Sequence, residues 1–291
     1  MRKTMFLTIT ILALSLNASP ADIFIGHAYY LKCPYYGCDG GEIYARPLFE
    51  KKQNDWQAFP NGEDIGNTPD ALYQSYKLFP NEIKWYIFND DYSLIGKATV
   101  ENLKPVEWRI NAGAAQMRMD SEIIKHDSDV ERGYNPSADL ILSTNENVIF
   151  SKFKTRITTD IKIYESAIKN IRGVGYSTDF IGTIEKYATI YSVDNEDVIA
   201  ILNFKHITED IIDTNSLVLA KKGKIWEFVF DGDSLDYDKD IVYFSLIAIA
   251  DFDNDEKNEY LFNLSSGVNR FGYVLWHDGI AKPLVYKFNS H

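Results

Sequence analysis

Short runs of apolar residues, alternating or continuous and bounded by Gly, Asn and Asp, dominate the chain. β-Branched and aromatic side chains fill these runs, which is typical of strands on a half-buried pleated surface. Pairs of runs separated by a few polar turn residues predict antiparallel hairpins. Five such pairs are 83–88 with 93–100, 138–143 with 148–153, 183–192 with 198–204, 216–220 with 224–230, and 272–277 with 282–288.

Helix signals are few. Thr68, Pro69 and Asp70 form a good helix start, and a helical pattern of apolar residues follows until Pro80. The segment 159–171 could be a second helix, but part of it alternates like a strand, and both readings stay open. The pattern therefore predicts a mainly β chain of antiparallel hairpins with one or two short helices.

Two architectures fit such a chain. Acidic turns near residues 39, 90, 145, 195 and 253 recur at intervals of about 50–60 residues, which suits the blades of a β-propeller. Any β protein, however, has polar turns often enough to produce similar spacing. The sequence thus predicts either a propeller-like or a β-sandwich architecture.

The N-terminus resembles an export signal. Arg2 and Lys3 precede an uncharged run to Leu16, and a small-residue region follows it. The run is too short for a stable membrane anchor, and cleavage after Ala21 fits best. The alternative is a short buried helix. No later segment reaches about 18 consecutive apolar residues. We therefore expect an exported protein, periplasmic or secreted, with no integral membrane segment after signal removal.

After a signal peptide at 1–21, the chain divides at its most polar and least periodic stretch. We expect an N-terminal β region at 22–118, a linker or long loop at 119–137, and a C-terminal β region at 138–291.

Composition restricts the partners. Hydrophobic residues make up 45% of the chain and aromatic residues 14%, which excludes a disordered protein. The formal net charge of −12 becomes −14 once Arg2 and Lys3 leave with the signal. This charge repels nucleic acid and anionic lipid. Exposed aromatic residues on a β scaffold would suit a protein or glycan ligand.

Only two cysteines occur, Cys33 and Cys38, with Pro34 and Gly37 between them. In an oxidising compartment we expect them to form a disulfide that closes a small loop. A ring this short contributes only about 2 kcal/mol. A redox pair is the alternative, but thioredoxin-like sites place two residues between the cysteines. A zinc site would lack partners of suitable spacing.

An acidic loop at 251–259 carries the main candidate chemistry. Asp251, Asp253 and Asp255 would each offer a carboxylate oxygen, Lys257 its backbone carbonyl, and Glu259 a further carboxylate. Ca²⁺ prefers six to eight such oxygens, whereas Mg²⁺ demands tighter octahedral geometry. The loop lies between two apolar runs, which places it at a turn between strands. The pattern predicts Ca²⁺ binding, and a plain acidic turn is the alternative.

The run from Ala248 to Asp255, followed by Glu259 and an apolar strand, resembles the calcium loop of integrin-type FG-GAP and bacterial VCBS repeats. The resemblance covers one copy of some 30 residues. It implies a β-propeller blade in which Asp251, Asp253, Asp255, Glu259 and the Lys257 carbonyl bind the ion. The family usually has glycine after the third aspartate, at a positive φ, where this chain has Glu256. A non-glycine residue there costs about 1 kcal/mol.

The chain has no nucleophile elbow, zinc-protease motif or paired histidines of metal-binding spacing. These features favour an exported, non-catalytic recognition or structural protein with a Ca²⁺-stabilised hairpin. The alternative is a secreted or periplasmic hydrolase, for example one that acts on glycans, that uses acidic residues.

Overall fold

The computed structural model describes residues 23–31, 42–52, 54–59, 84–105, 113–119, 140–160, 162, 185–207, 212–235, 242–266 and 270–287. These residues are almost entirely antiparallel strand, with one turn of 3-10 helix at Asp233–Leu235. The strands are β1 (Ile23–Leu31), β2 (Glu42–Lys52), β3 (Asp55–Ala58), β4 (Lys84–Phe88), β5 (Leu94–Pro105), β6 (Gly113–Met119), β7 (Leu140–Ser143), β8 (Ile149–Phe150), β9 (Phe153–Thr158), β10 (Glu185–Val193), β11 (Glu196–Ile207), β12 (Ile212–Lys222), β13 (Ile225–Asp231), β14 (Val242–Asp251), β15 (Glu259–Ser266), β16 (Arg270–His277) and β17 (Ile280–Lys287).

The strands form three sheets. The first sheet has the order β1-β7-β4-β5-β6-β2-β3, and β1 also pairs with β2. The second sheet has the order β13-β12-β11-β10-β9, and the third has the order β17-β16-β15-β14-β8. The mainly β fold is confirmed. Of the two expected architectures, the sheets correspond to a sandwich, because the described residues form no closed propeller.

The third sheet is the middle layer. Alternate side chains of a strand point to opposite faces, and in this sheet both faces are buried. On β15, Leu261 packs in a core shared with the first sheet, whereas Phe262 packs in a core shared with the second. On β16, Leu275 likewise packs in the core shared with the first sheet, and Val274 packs in the core shared with the second. Burial on both faces explains why β14 is a nearly continuous apolar run.

Four of the five predicted hairpins are confirmed as the pairs β4–β5, β10–β11, β12–β13 and β16–β17. The hairpin predicted from 138–143 and 148–153 is wrong. β7 pairs with β1 and β4 in the first sheet, whereas β8 pairs with β14 in the third. The polar residues between them cross from one layer to the next. Thr144 extends the first sheet by hydrogen bonds with Phe24, and Asn145 then reaches the third sheet by donating to the carbonyl of Phe252.

The outer edge of β14 is only partly covered by another strand. β8 pairs with it at Ala250 and Asp251 alone. Further along, the Tyr92 hydroxyl donates to the Ile247 carbonyl at 2.8 Å, and the Leu246 N–H donates to the Tyr191 hydroxyl at 3.3 Å. Tyr92 follows the turn after β4 and Tyr191 lies in β10, so side chains beside both other sheets satisfy this edge.

Several predictions fall outside the described residues. These are the signal at 1–21, the Cys33–Cys38 loop, the helix beginning at Thr68, and nearly all of the linker at 119–137. Within the described part of the chain, no helix is long and apolar enough to cross a membrane.

A candidate cation site at the β14–β15 turn

Phe252 anchors the acidic turn between β14 and β15. Its side chain is fully buried in the core between the first and third sheets, where its ring meets that of Phe150 edge-on at 5.7 Å. Its carbonyl accepts a hydrogen bond of 2.7 Å from the Asn145 amide. Asp251 and Asp253 flank Phe252 in the sequence. The buried ring therefore holds their carboxylates at the edge of the core.

The carboxylates hydrogen-bond to the backbone of their own turn. The two oxygens of Asp251 accept the N–H groups of Asp255 and Glu256 at 3.1 and 3.0 Å. Asp253 also accepts the Asp255 N–H at 3.1 Å, and Asp255 accepts the Lys257 N–H at 3.0 Å. Short aspartate side chains commonly stabilise turns in this way. The turn therefore has a defined shape that orients its acidic groups.

Two residues of the turn have left-handed backbone. Asn254 has φ 62° and Glu256 has φ 69°. Asparagine tolerates this region of φ better than most residues do, whereas the same conformation is strained for glutamate. The expectation of a positive φ at Glu256, where related loops have glycine, is confirmed.

Asp251, Asp253 and Glu259 converge. One carboxylate oxygen from each lies within 4.8 Å of the others. Asp251 is 6% exposed and Glu259 is 0% exposed. Ca²⁺ binds oxygen at 2.3–2.6 Å, so ligands on opposite sides of one ion stand about 5 Å apart. These three side chains therefore match the size and the oxygen-only chemistry of a single hard-cation shell.

The Asp255 carboxylate is not part of this group, and the Lys257 side chain pairs elsewhere. The Asp255 side chain is 33% exposed, and its Oδ2 lies 3.7 Å from the Lys51 ammonium. Lys257 is exposed, and its ammonium donates to Asp278 at 2.5 Å. The role predicted for the Lys257 carbonyl stays a prediction.

Glu259 is the least solvated member of the group. Burial first, and the nearby charges of Asp253 and Asp255 after it, raise the pKa of its carboxyl to about 8. The Phe252 N–H, which donates at 2.9 Å, and the indole N–H of Trp56 oppose that rise. His277 Nδ1 lies 2.7 Å from Glu259 Oε1, but neither atom makes an aligned hydrogen bond in the described structure. Among the described residues, no lysine or arginine nitrogen lies within 4.0 Å of this carboxylate.

Lys51 supplies the nearest full positive charge. Its ammonium, on β2 of the first sheet, pairs with Asp253, and its side chain is 13% exposed. Sequence reasoning missed Lys51, Trp56 and His277. Lys51 lies 202 positions from Asp253, so no local pattern points to it. His277 could have been found from the β15–β16 hairpin, because Tyr260 pairs with Trp276 and the next position outward places His277 beside Glu259.

No family model matches the chain, and no curated protein or solved structure matches it either. The resemblance of the acidic loop to FG-GAP calcium loops accordingly stays a prediction.

Proposed function

We propose that this is an exported, non-catalytic structural or recognition protein in which the β14–β15 turn binds Ca²⁺. The basic and apolar N-terminus supports export. The observation that supports Ca²⁺ binding is the position of Glu259, whose fully buried carboxylate lies beside those of Asp251 and Asp253. A buried carboxylate stays ionised near neutral pH only with a compensating charge, and an oxygen-only donor set selects a hard cation such as Ca²⁺.

The ion's role in this proposal is mechanical. Glu259 begins β15 and Asp251 ends β14, so an ion held by both would close the open end of the hairpin. Asp253 connects the same position to Lys51 on β2. The contact with His277 adds the end of β16. Ca²⁺ would therefore fix the β14–β15 turn and the end of β16 beside it.

Terbium luminescence tests the proposal directly, since Tb³⁺ replaces Ca²⁺ at oxygen sites and is sensitised by a nearby indole. Trp56 faces Glu259, so Tb³⁺ at this site should emit when tryptophan is excited. Trp56→Phe should weaken the emission of the saturated protein, with calorimetry used to confirm that the ion is still bound. Ca²⁺ should displace Tb³⁺ and quench the signal.

Thermal unfolding supplies the second test. At 100 times its dissociation constant, Ca²⁺ adds about 2.7 kcal/mol, which raises Tm by roughly 5–10 °C in a chain of this size. We expect this rise for the wild type and for Glu196→Gln, an exposed acidic residue at the β10–β11 turn. Asp253→Asn should abolish the rise. Identical melting curves in EDTA and in millimolar Ca²⁺ for the wild type would refute the proposal.

A further inference from the structure

A cavity of about 480 Å³ lies where the three sheets meet. The turn after β4, the start of β9 and the middle of β14 enclose it. Its wall on β14 ends at Ile247, four residues before Asp251, which is about 13 Å along a strand. The cavity is therefore separate from the acidic turn, and its volume falls in the range of small-molecule sites.

One side of the cavity is apolar and rigid. Ile141, Leu246 and Phe153 contribute to it from the two core clusters. Tyr92 completes this side with φ 65°, a left-handed conformation that an aromatic residue rarely adopts. Its ring stacks on Phe150 with centroids 4.8 Å apart, and its hydroxyl donates to the Ile247 carbonyl. Such strain persists only where surrounding contacts impose it, and it clusters at ligand sites.

Polar groups of opposite charge border the same cavity. Asp90 and Lys152 are both exposed, and Ser245 is half-buried between them and the apolar side. None of the three side chains makes a hydrogen bond, or an ion pair within 4.0 Å, with another residue that the structure describes, although the hydrogen bonds from Ser93 and, less strongly, the charge of Lys152 lower the pKa of the Asp91 carboxyl. Asp91 is already engaged, because it accepts the Ser93 N–H at 2.9 Å. An anion, a cation and a hydroxyl thus border a cavity that has one apolar side.

We propose that this cavity binds a zwitterionic ligand with apolar side chains, namely a short peptide. Its ammonium group would face Asp90, its carboxylate would face Lys152, and its side chains would fill the apolar part. The Ser245 hydroxyl would bond to the peptide amide. The β14 groups at Leu246 and Ile247 are already bonded to tyrosine hydroxyls. The peptide is therefore recognised by its two ends and its side chains and does not add a strand.

Three forms of one dipeptide test the charge requirement on the unaltered protein. Isothermal titration calorimetry should show saturable binding of Leu-Phe. Acetylation of its amino group removes one charge, and amidation of its carboxyl group removes the other. Each blocked form should bind at least about tenfold more weakly, because each loses one charge-assisted contact. No saturable heat with Leu-Phe, or equal affinity for all three forms, would overturn the proposal.

Substitutions of two exposed residues test which side chain binds each end of the dipeptide. Lys152→Gln should abolish the preference for the free carboxylate, and Asp90→Asn should abolish the preference for the free amine. Lys154→Gln, an exposed lysine two residues along the chain, is the matched control and should keep both preferences. Circular dichroism checks that each variant is folded. Unchanged discrimination in Lys152→Gln and Asp90→Asn would overturn the assignment.

Discussion

Among the described residues outside the acidic turn, Lys51 is the only lysine whose ammonium lies within 4.0 Å of the turn's carboxylates. The ammonium is shared between Asp253 and Asp255. In ion-free protein it relieves part of the repulsion between carboxylates. Once Ca²⁺ enters, the same ammonium is a like charge beside the ion and competes for Asp253. Its effect on stability should therefore change sign with occupancy.

Lys51→Met tests this change of sign. In EDTA we expect stability to fall by roughly 1–3 kcal/mol, because Asp253 loses its partner in a poorly solvated place. The affinity for Ca²⁺ should rise, because the ion no longer competes with an ammonium. Urea unfolding and calorimetric titration measure the two effects.

Lys52→Met is the control for Lys51→Met, since Lys52 is the next residue and pairs with Glu50 instead. It should leave Ca²⁺ affinity unchanged. If Lys51→Met binds Ca²⁺ no more tightly than the wild type does, the ammonium and the ion do not share a position.

Glu256→Gly should stabilise the protein. Left-handed backbone costs a non-glycine residue roughly 1–2 kcal/mol, which the substitution would recover. The greater freedom of glycine in the unfolded chain offsets about 0.5–1 kcal/mol of this gain. The expected net stabilisation is therefore about 0.5–1 kcal/mol, measured by urea unfolding. Glu256→Gln separates the effect of charge, and Asn254→Gly should gain less because asparagine already tolerates its φ of 62°. A loss of stability in Glu256→Gly would show that the turn is not strained there.

Within the turn, sequence reasoning identified the converging residues Asp251, Asp253 and Glu259, because ligands a few positions apart are brought together by local chain geometry. It also identified the strained position, Glu256. It could not identify Lys51, whose approach depends on how two whole sheets stack.

At the level of strands and turns, the same contrast holds. Hairpins such as β4–β5 were predictable because both strands and their turn are contiguous in sequence. The link between β7 and β8 has the same local pattern but joins different sheets. The polar residues Thr144 and Asn145 predict a change of chain direction. They do not predict which strand pairs with β8 after the turn.

Phe252 shows how one apolar residue positions a polar element. Phe252→Ala should cost about 3–5 kcal/mol by leaving a cavity between the first and third sheets. It should also weaken Ca²⁺ binding, because the turn loses its anchor. Phe228→Ala on β13 is the control, since that ring is exposed and its removal should cost far less. Denaturant unfolding and Tb³⁺ emission provide the measurements. Unchanged Tb³⁺ emission in folded Phe252→Ala would mean that the turn holds its shape without the ring.

Across the whole molecule, composition and periodicity predicted a mainly β fold but not three stacked sheets. Period-two patterns show which faces are apolar, and they do not show what covers each face. One signal was available: β14 is apolar on both faces, as a strand in a middle layer must be.

The stability contributed by Glu259 should fall with rising pH in the absence of the ion and become nearly independent of pH in its presence. Without it, the folded-state pKa of Glu259 is about 8, above the ordinary value of 4.5. The protonated carboxyl then contributes stability fully below about pH 4.5, and this contribution is lost as pH rises through about 8. With saturating Ca²⁺, the contribution of Glu259 should be nearly independent of pH above about 4.5, because the carboxyl is then ionised in both the ion-bound folded state and the unfolded state.

Urea unfolding at pH 5, 6.5 and 8, with EDTA or with Ca²⁺, checks this pH dependence. Glu259→Gln, which cannot titrate, isolates the contribution of Glu259 from that of His277 and other groups. If the wild type and Glu259→Gln show the same pH dependence in EDTA, the Glu259 carboxyl does not titrate with a raised pKa.

The hydroxyls of Tyr92 and Tyr191 on the outer edge of β14 have one more consequence. Unpaired strand edges are templates for other chains, and β proteins must guard them against aggregation. Here two phenolic groups take up backbone positions that a strand from a second molecule would otherwise use. The two hydroxyls therefore oppose the addition of a strand from a second molecule at the middle of β14.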